Sequence, residues 1–426
     1  MLMYFYSLYY LIRLMRSQWL SPSEIEAIQR KKLKALVRHA YEKVDYYREL
    51  FDSAGVRPGE INDPQDLARI PITTKKQLQA MPIERITARG IRLDECLKTK
   101  TSGSTGIPLD ILIGPKDSRF RGAVFNRLFF ANGYRLRDKA VAVTNLVVKR
   151  KPHWYETLGI RRGGFVNVLH GIDEQIDHLR EARPDLLRGL TGSLRVIAEA
   201  VRERGINGIR PRVILTGGEV LTEETRQVLQ DVFGARVIDS YNSWEFGNIA
   251  WECGHHAGYH INADGLIVEA MKEGRRALPG EQGELLITAL NGYAMPLIRY
   301  RIGDMGVLSD RRCPCGRGLP LLERVEGRTD DLIRVPDGRI VSPFVITNTL
   351  RYIPGIGQFK LTQDRSDAFE ILLVRGKGFS PETVETAREE LRKLLGEGVL
   401  LHIQLVDHIP PDPSEKIRAV ISRVRS

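Results

Sequence analysis

Apolar residues recur at helical spacing from Ser23 to Leu50, which predicts a helical amino-terminal portion over roughly residues 1–60. Pro58, Gly59, Pro64 and Pro71 then punctuate a loop-rich stretch. Beyond it the texture alternates. Lys139 to Val148 reads as a strand, Ile172 to Glu181 as a helix, Leu187 to Gly192 as a strand and Ser193 to Arg204 as a helix. Arg212 to Thr216 (strand), Glu223 to Phe233 (helix) and Arg236 to Tyr241 (strand) continue the rhythm, which predicts an α/β sheet with crossover helices. Ligands of such sheets gather at the carboxyl ends of strands, just after Leu215 and Ser240 here. After about Asp330 the pattern changes to short strands and two helices. One of these starts at Ser380 as its cap, with Pro381 in the first turn, Gly396 at the end and Val384, Ala387, Leu391 and Leu394 on one face. Leu401 to Leu405 alternates like a half-buried strand. The expected organisation is a large domain over 1–329 and a small α+β domain over 330–426.

The first twelve residues change the picture only if they target the chain to a membrane. Met1 to Ile12 is apolar except for Ser7, yet a spanning helix needs about 20 residues, and Arg13 and Arg16 interrupt this one. The segment reads as an amphipathic or docked helix, with at most weak membrane-surface contact. Four cysteines in 426 residues make no disulfide framework and point to the cytoplasm. The net charge of +11 favours anionic partners, and the basic residues are scattered, so no nucleic-acid tail stands out and no nucleic-acid partner is expected.

Candidate chemistry begins at Thr101-Ser102-Gly103-Ser104-Thr105-Gly106, where glycines and hydroxyls make a donor-rich loop suited to phosphates. A solvated turn has the same composition. It is not a Walker loop, because Gly106 is followed by Ile107 and Lys100 precedes the loop. Then come Thr216-Gly217-Gly218-Glu219, Tyr241-Asn242-Ser243-Trp244-Glu245-Phe246-Gly247, Tyr300-Arg301-Ile302-Gly303-Asp304, Gly327-Arg328-Thr329-Asp330-Asp331 and Ser414-Glu415-Lys416. This order resembles the adenylate-forming superfamily over nearly the whole chain. The phenylacetate-CoA ligase-like branch, with its capsule-biosynthesis relatives, is the nearest match, and Ile249 to Cys253 and Cys313 to Arg317 point the same way.

The resemblance implies a large α/β domain of mixed sheets, with a small mobile α+β domain that turns about Asp330. It implies ATP-dependent, AMP-forming activation of a carboxylic acid and transfer of the acyl group, most often to coenzyme A. Transfer to an amine, or of AMP itself, belongs to the same chemistry; a basic nucleic-acid-binding protein is the alternative from another class. The loop 101–106 would hold the β- and γ-phosphates, and Glu245, a carboxylate at a strand end, would take Mg²⁺ shared with the triphosphate. Tyr241 would lie against adenine. Asn242 stands where the family has glycine, a mild departure because Asn tolerates left-handed backbone angles; Trp244 stands where it has threonine. Gly217, Gly218 and Glu219 would meet the nucleobase edge, Asp304 the ribose hydroxyls, and Arg328 ribose or phosphate. Lys416 would place a positive charge between the substrate carboxylate and the α-phosphate. Glu415 stands where glycine is usual.

The cysteines supply a second constellation. Cys253, His260, Cys313 and Cys315 can furnish the ligands of a tetrahedral structural zinc, with His255 and His256 competing for the histidine place. Reduced, partly buried thiols are the other reading. Phe120 to Phe130 either walls a pocket for an apolar acid or belongs to the core, and a homodimer is the default oligomer.

Overall fold

The computed structural model describes residues 2–100, 109–144, 154–168, 170–326, 333–337, 339–341, 343–409 and 419–424. It divides into two compact units, the first built from residues 1–101, 109–133 and 240–327, and the second from 102–108, 134–239 and 328–426.

In the first unit the amino-terminal run forms helices α1 (Leu2–Ser17), α2 (Pro22–Lys43) and α3 (Asp45–Ser53). The uninterrupted periodicity from Ser23 to Leu50 is broken at Val44, whose extended backbone (φ −121°, ψ 114°) separates α2 from α3. Ser21 opens α2 with a reciprocal cap: its hydroxyl accepts from the Glu24 N–H, and its own N–H donates to the Glu24 carboxylate. The apolar face of α2 buries Ile25, Leu33, Leu36, Val37 and Ala40. Helix α4 (Pro115–Ala131) packs on α1 through Phe120, Ala123 and Val124 around Leu14. Among the described residues no helix is long and apolar enough to cross a membrane.

The strands of this unit follow in the order Arg275–Arg276, Leu266–Lys272, Gln282–Ala289, Tyr300–Ser309, Leu321–Glu326, Tyr259–Ile261 and Gly247–Glu252, ending on residues 240–243 of the strand Arg236–Ser243. Every pairing among them is antiparallel. Their central positions are apolar and almost fully buried, Leu285, Leu286, Ile287, Ile249 and Trp251 among them.

In the second unit, strands Val213–Gly217, Leu186–Gly189, Ala140–Thr144 and Gly163–Asn167 lie side by side and parallel. Helices Ile172–Ala182, Thr191–Glu203 and Glu223–Phe233 cross between strands, as the alternating texture predicts. Several boundaries move. The strand expected over Lys139 to Val148 covers Ala140–Thr144, with 145–150 outside the described residues, and the strand expected over Leu187 to Gly192 stops at Gly189. There the helix starts early, at Thr191, because the Glu219 carboxylate accepts the Gly192 N–H at 2.6 Å and satisfies an orphan donor of the first turn.

The carboxy-terminal part of this unit is a four-stranded sheet in the order Leu400–Val406, Ala368–Arg375, Ile356–Arg365, Val420–Ser422. The central pair is antiparallel, and each outer strand runs parallel to its neighbour. Helices Pro343–Arg351 and Pro381–Leu395 close its apolar core, where Leu391, Leu395, Leu361 and Ile371 are fully buried. Ser380 and Gly396 flank the second helix as expected, Gly396 at φ +107°. Val168 and Leu190 of the same unit pack against that core.

Candidate functional site

Several expected site residues lie outside the described residues: Thr101, Ser102, Gly103, Ser104, Thr105 and Gly106 of the phosphate loop, Arg328, and Lys416. The others fall in both units, and each unit holds its own group.

In the first unit, Tyr241 lies near the end of the strand Arg236–Ser243, and Asp304 lies in the strand Tyr300–Ser309. The Tyr241 hydroxyl donates to Asp304 Oδ2 at 2.7 Å, so the residues expected at adenine and at ribose are one hydrogen bond apart although 63 positions separate them. Glu245, 8% exposed, sits in the turn that follows and accepts from the Tyr300 hydroxyl at 3.4 Å. Phe246 and Tyr300 hold this corner with rings 5.9 Å apart. Asn242 does not use the left-handed freedom expected of it. It stays in the strand, its amide donating to Ser240 O and Oγ at 2.9 Å each while its Oδ1 accepts from Asn248 at 3.0 Å. The left-handed turn falls instead at Gly247, φ +73°. Tyr300 joins this candidate group through Glu245 and Phe246 without having been singled out in the sequence, where its place four positions before Asp304 is the available signal.

Beside this corner is a cavity of about 20 Å³, room for about one water, lined by Asp117, Phe120, Arg121, Val124, Phe246 and Asn248 among others. Arg121 closes on it, pairing with Asp117 at 3.1 Å and donating to Trp244 O at 3.5 Å. Burial pushes the Asp117 carboxyl above its ordinary range, and Arg121 counters this. The two readings of Phe120 to Phe130 divide the segment: Phe120 and Val124 face the cavity, whereas Leu128 and Phe129 are buried and line no part of it.

In the second unit, Gly217 ends its strand and Gly218 takes φ +81°, where a Cβ would meet Leu190 Cδ2 at 2.9 Å. That turn carries Glu219 to the first turn of the helix Thr191–Glu203. Next to it Thr216 Oγ1 donates to Asp239 Oδ1 at 2.6 Å, a buried pair that no motif announced.

The cysteine–histidine group of the first unit converges. Cys253 follows the strand Gly247–Glu252, His260 lies in the strand Tyr259–Ile261, and Cys313 and Cys315 lie in the turn between Tyr300–Ser309 and Leu321–Glu326. Their ligand atoms are all within 4.8 Å of one another. Cys253 and Cys313 sulfurs are 3.5 Å apart, and Cys315 Sγ is 3.4 Å from His260 Nε2. His256 turns away to Glu252 at 3.4 Å. Burial, helped by the Arg317 charge, lowers His260 to about 4, so its imidazole is neutral at physiological pH, the form that ligates metals. Burial lifts the Cys313 thiol to about 12. A second group, His170, Glu174 and His178, lies in the other unit at i, i+4, i+8 spacing, a period that sequence reasoning passed over.

A family model described as the CapK C-terminal domain matches residues 333–423. The phenylacetate-coenzyme A ligase of Thermus thermophilus is 29% identical over 353 residues, 78% of this chain and 76% of that protein. Protein CapK of Staphylococcus aureus is 20% identical over 95% of this chain and 90% of its own. Among solved structures, a 2-hydroxyisobutyryl-CoA ligase in complex with 2-HIB-AMP and CoA, in the thioesterification state, shares the fold. It has a TM-score of 0.68 at 21% identity, over 96% of this chain and 91% of that one. Over most of its length the chain is therefore similar to phenylacetate-coenzyme A ligases and to CapK, in keeping with the order of its motifs, and it shares the fold of an acyl-CoA ligase.

Proposed function

We propose that the protein is an ATP-dependent, AMP-forming carboxylate ligase that passes its acyl group to coenzyme A. A substrate carboxylate oxygen attacks the α-phosphorus, the bond to the bridging oxygen breaks, and pyrophosphate leaves. The coenzyme A sulfur, having lost its proton, then attacks the acyl carbon, and AMP leaves with the electron pair of the C–O bond. AMP is a far better leaving group than oxide, which is why the reaction is split. The observation that carries this reading is the corner in which Tyr241 meets Asp304 and Tyr300 meets Glu245: a flat aromatic face and two carboxylates on adjoining loops and strands.

In this reading Asp304 accepts the ribose hydroxyls, Tyr241 faces adenine, and the loop 101–106, Gly217, Gly218, Glu219, Asn242 and Arg328 complete the nucleotide site. Glu245, a carboxylate at a strand end, fits a Mg²⁺ ligand, and the ion supplies charge neutralisation on the triphosphate. Cys253, His260, Cys313 and Cys315 hold a structural zinc remote from the chemistry. Lys416 stands between carboxylate and phosphate, on a small domain over 330–426 that turns between half-reactions. The acid is small or apolar, seated where Phe120, Val124 and Phe246 line the cavity and admitted by movement of Arg121.

Lys416→Ala is expected to lower acid-dependent pyrophosphate exchange by about 10³-fold while ATP binding changes little. Near-normal exchange would remove Lys416 from the mechanism. Salt-sensitive nucleic-acid binding by a wild-type protein that shows no exchange with a panel of aryl, fatty and amino acids would sink the ligase reading itself.

A further inference from the structure

The turn that carries two of the four soft ligands also grips the corner between α1 and α2. Gln18 there is fully buried. Its side-chain Oε1 accepts from Arg317 Nε at 3.0 Å, its carbonyl accepts the Gly318 N–H at 3.0 Å, and Arg317 also donates to Ala131 O at 3.4 Å. The Arg317 guanidinium lies 4.6 Å from the Trp19 ring and 5.3 Å from the Trp251 ring. Trp251 in turn packs against the His260 imidazole, ring centres 5.1 Å apart. Gly318 approaches so closely that a Cβ would sit 1.8 Å from Leu20 O. A continuous stack therefore runs from one ligand, His260, through Trp251 and Arg317 to Trp19, and Arg317 itself is two residues from Cys315.

The ligand spacing suits zinc. Bonds of about 2.0–2.3 Å in a tetrahedron put ligand atoms about 3.4–3.8 Å apart, and the Cys253–Cys313 and Cys315–His260 separations are 3.5 and 3.4 Å. Four protein ligands leave no open position, so the ion's effect is on the chain that carries them. Without it the Cys313–Cys315 turn keeps its Gly316 N–H to Cys313 O bond at 3.1 Å but loses the ties to Cys253 and His260, and the turn's direction sets where Arg317 and Gly318 point.

We propose that a zinc ion held by Cys253, His260, Cys313 and Cys315 is a latch on the amino-terminal helices: it fixes the 313–318 turn on the α1–α2 corner, and its loss frees that corner. The proposal rests on the zinc reading of the cluster. A second fastening of α1, Arg127 donating to Leu14 O and the Ser17 hydroxyl donating to Asp264, does not depend on the ion, so the release is confined to the corner at residues 18–20.

The test is hydrogen exchange on the full-length protein, compared as purified, after stripping with 1,10-phenanthroline, and after Zn²⁺ is restored. The reporters are the amides of Gln18, Trp19 and Leu20, bonded to Leu14, Arg16 and Ser17 carbonyls. Stripping is expected to speed their exchange about tenfold, the effect of one or two net hydrogen bonds, with restoration on adding Zn²⁺ and no change in helix Pro381–Leu395. Arg317→Ala should retain close to one equivalent of zinc yet show the same fast exchange, which separates the latch from a general loss of folding. Less than about a tenth of an equivalent of metal after chelator-free purification would overturn site and latch together. Stoichiometric metal with unchanged corner exchange, on stripping or in Arg317→Ala, would overturn the latch and leave the site standing.

Discussion

The α1–α4 corner of the first unit and the carboxy-terminal sheet of the second are both thoroughly buried, by opposite chemistry. In the corner, Arg127 is fully buried and grips Asp264 with both Nη atoms, at 2.6 and 2.9 Å, and Asn262 Oδ1 at 2.6 Å, while Ser17 Oγ donates to the same Asp264 at 2.5 Å. The sheet is closed by Leu361, Ile371, Leu391 and Leu395, which need only fill space. A polar fastener specifies one arrangement and fails abruptly when half of it is removed, because the remaining charge is stranded away from water. An apolar core loses stability in proportion to the cavity left behind.

The largest break in this comparison is Asp264→Asn. Burial alone would raise the Asp264 carboxyl, but Arg127 and the hydroxyl of Ser17 lower it below the ordinary range, so it is ionised and balances the guanidinium. Its amide replacement leaves Arg127 charged and uncompensated, at an expected loss of about 3–5 kcal/mol in the stability of the first unit, read by urea denaturation with hydrogen exchange. A loss below about 1 kcal/mol would mean that water reaches Arg127 and that the fastener is not a buried one. Leu391→Ala in the helix Pro381–Leu395 is the apolar counterpart, with an expected loss of about 2–4 kcal/mol confined to the carboxy-terminal sheet. A larger loss there than in Asp264→Asn would reverse the ranking.

The same contrast decides what was legible beforehand. Helix Glu223–Phe233 falls where its pattern puts it, and helix Pro381–Leu395 lies between Ser380 and Gly396, because spacing and caps are local. The break at Val44 carried no turn residue, so the apolar period ran through it. The early start at Thr191 depends on Glu219, 27 positions from the amide it satisfies. Arg127 and Asp264 lie 137 positions apart and share no period at all. In the site, residue types were informative where chemistry restricts them, as with the three cysteines, while the histidine place stayed open among His255, His256 and His260 until the strands were seen to bring His260 to the sulfurs. The Tyr241–Asp304 bond was invisible because it depends on how two distant strands come together, and Tyr300 was hidden inside a motif read only for its aspartate.

Lys32 sharpens the comparison from within the polar corner. Its ammonium donates to Asp264 O at 2.6 Å and Asn291 Oδ1 at 3.2 Å, and lies 4.7 Å from the Phe120 ring. Burial lowers it to about 8; Asp264 resists that fall, and Arg13 and Arg127 add to it. Unfolding returns the lysine to its ordinary value near 10.5, so between about pH 8 and 10.5 the unfolded chain binds more protons than the folded one. The sign follows: the charging penalty is fully present below pH 8 and fades as pH rises, so this group makes the first unit more stable toward alkaline pH. Discounted for its half-buried stem, the gain is roughly 1–2 kcal/mol. Lys32→Met has no such group, so the stability of the wild type relative to that variant should climb by this amount between pH 7.5 and 10. A flat difference across that range would show that Lys32 keeps its charge in the fold, and that Asp264 and the Phe120 ring offset the cost of burying it.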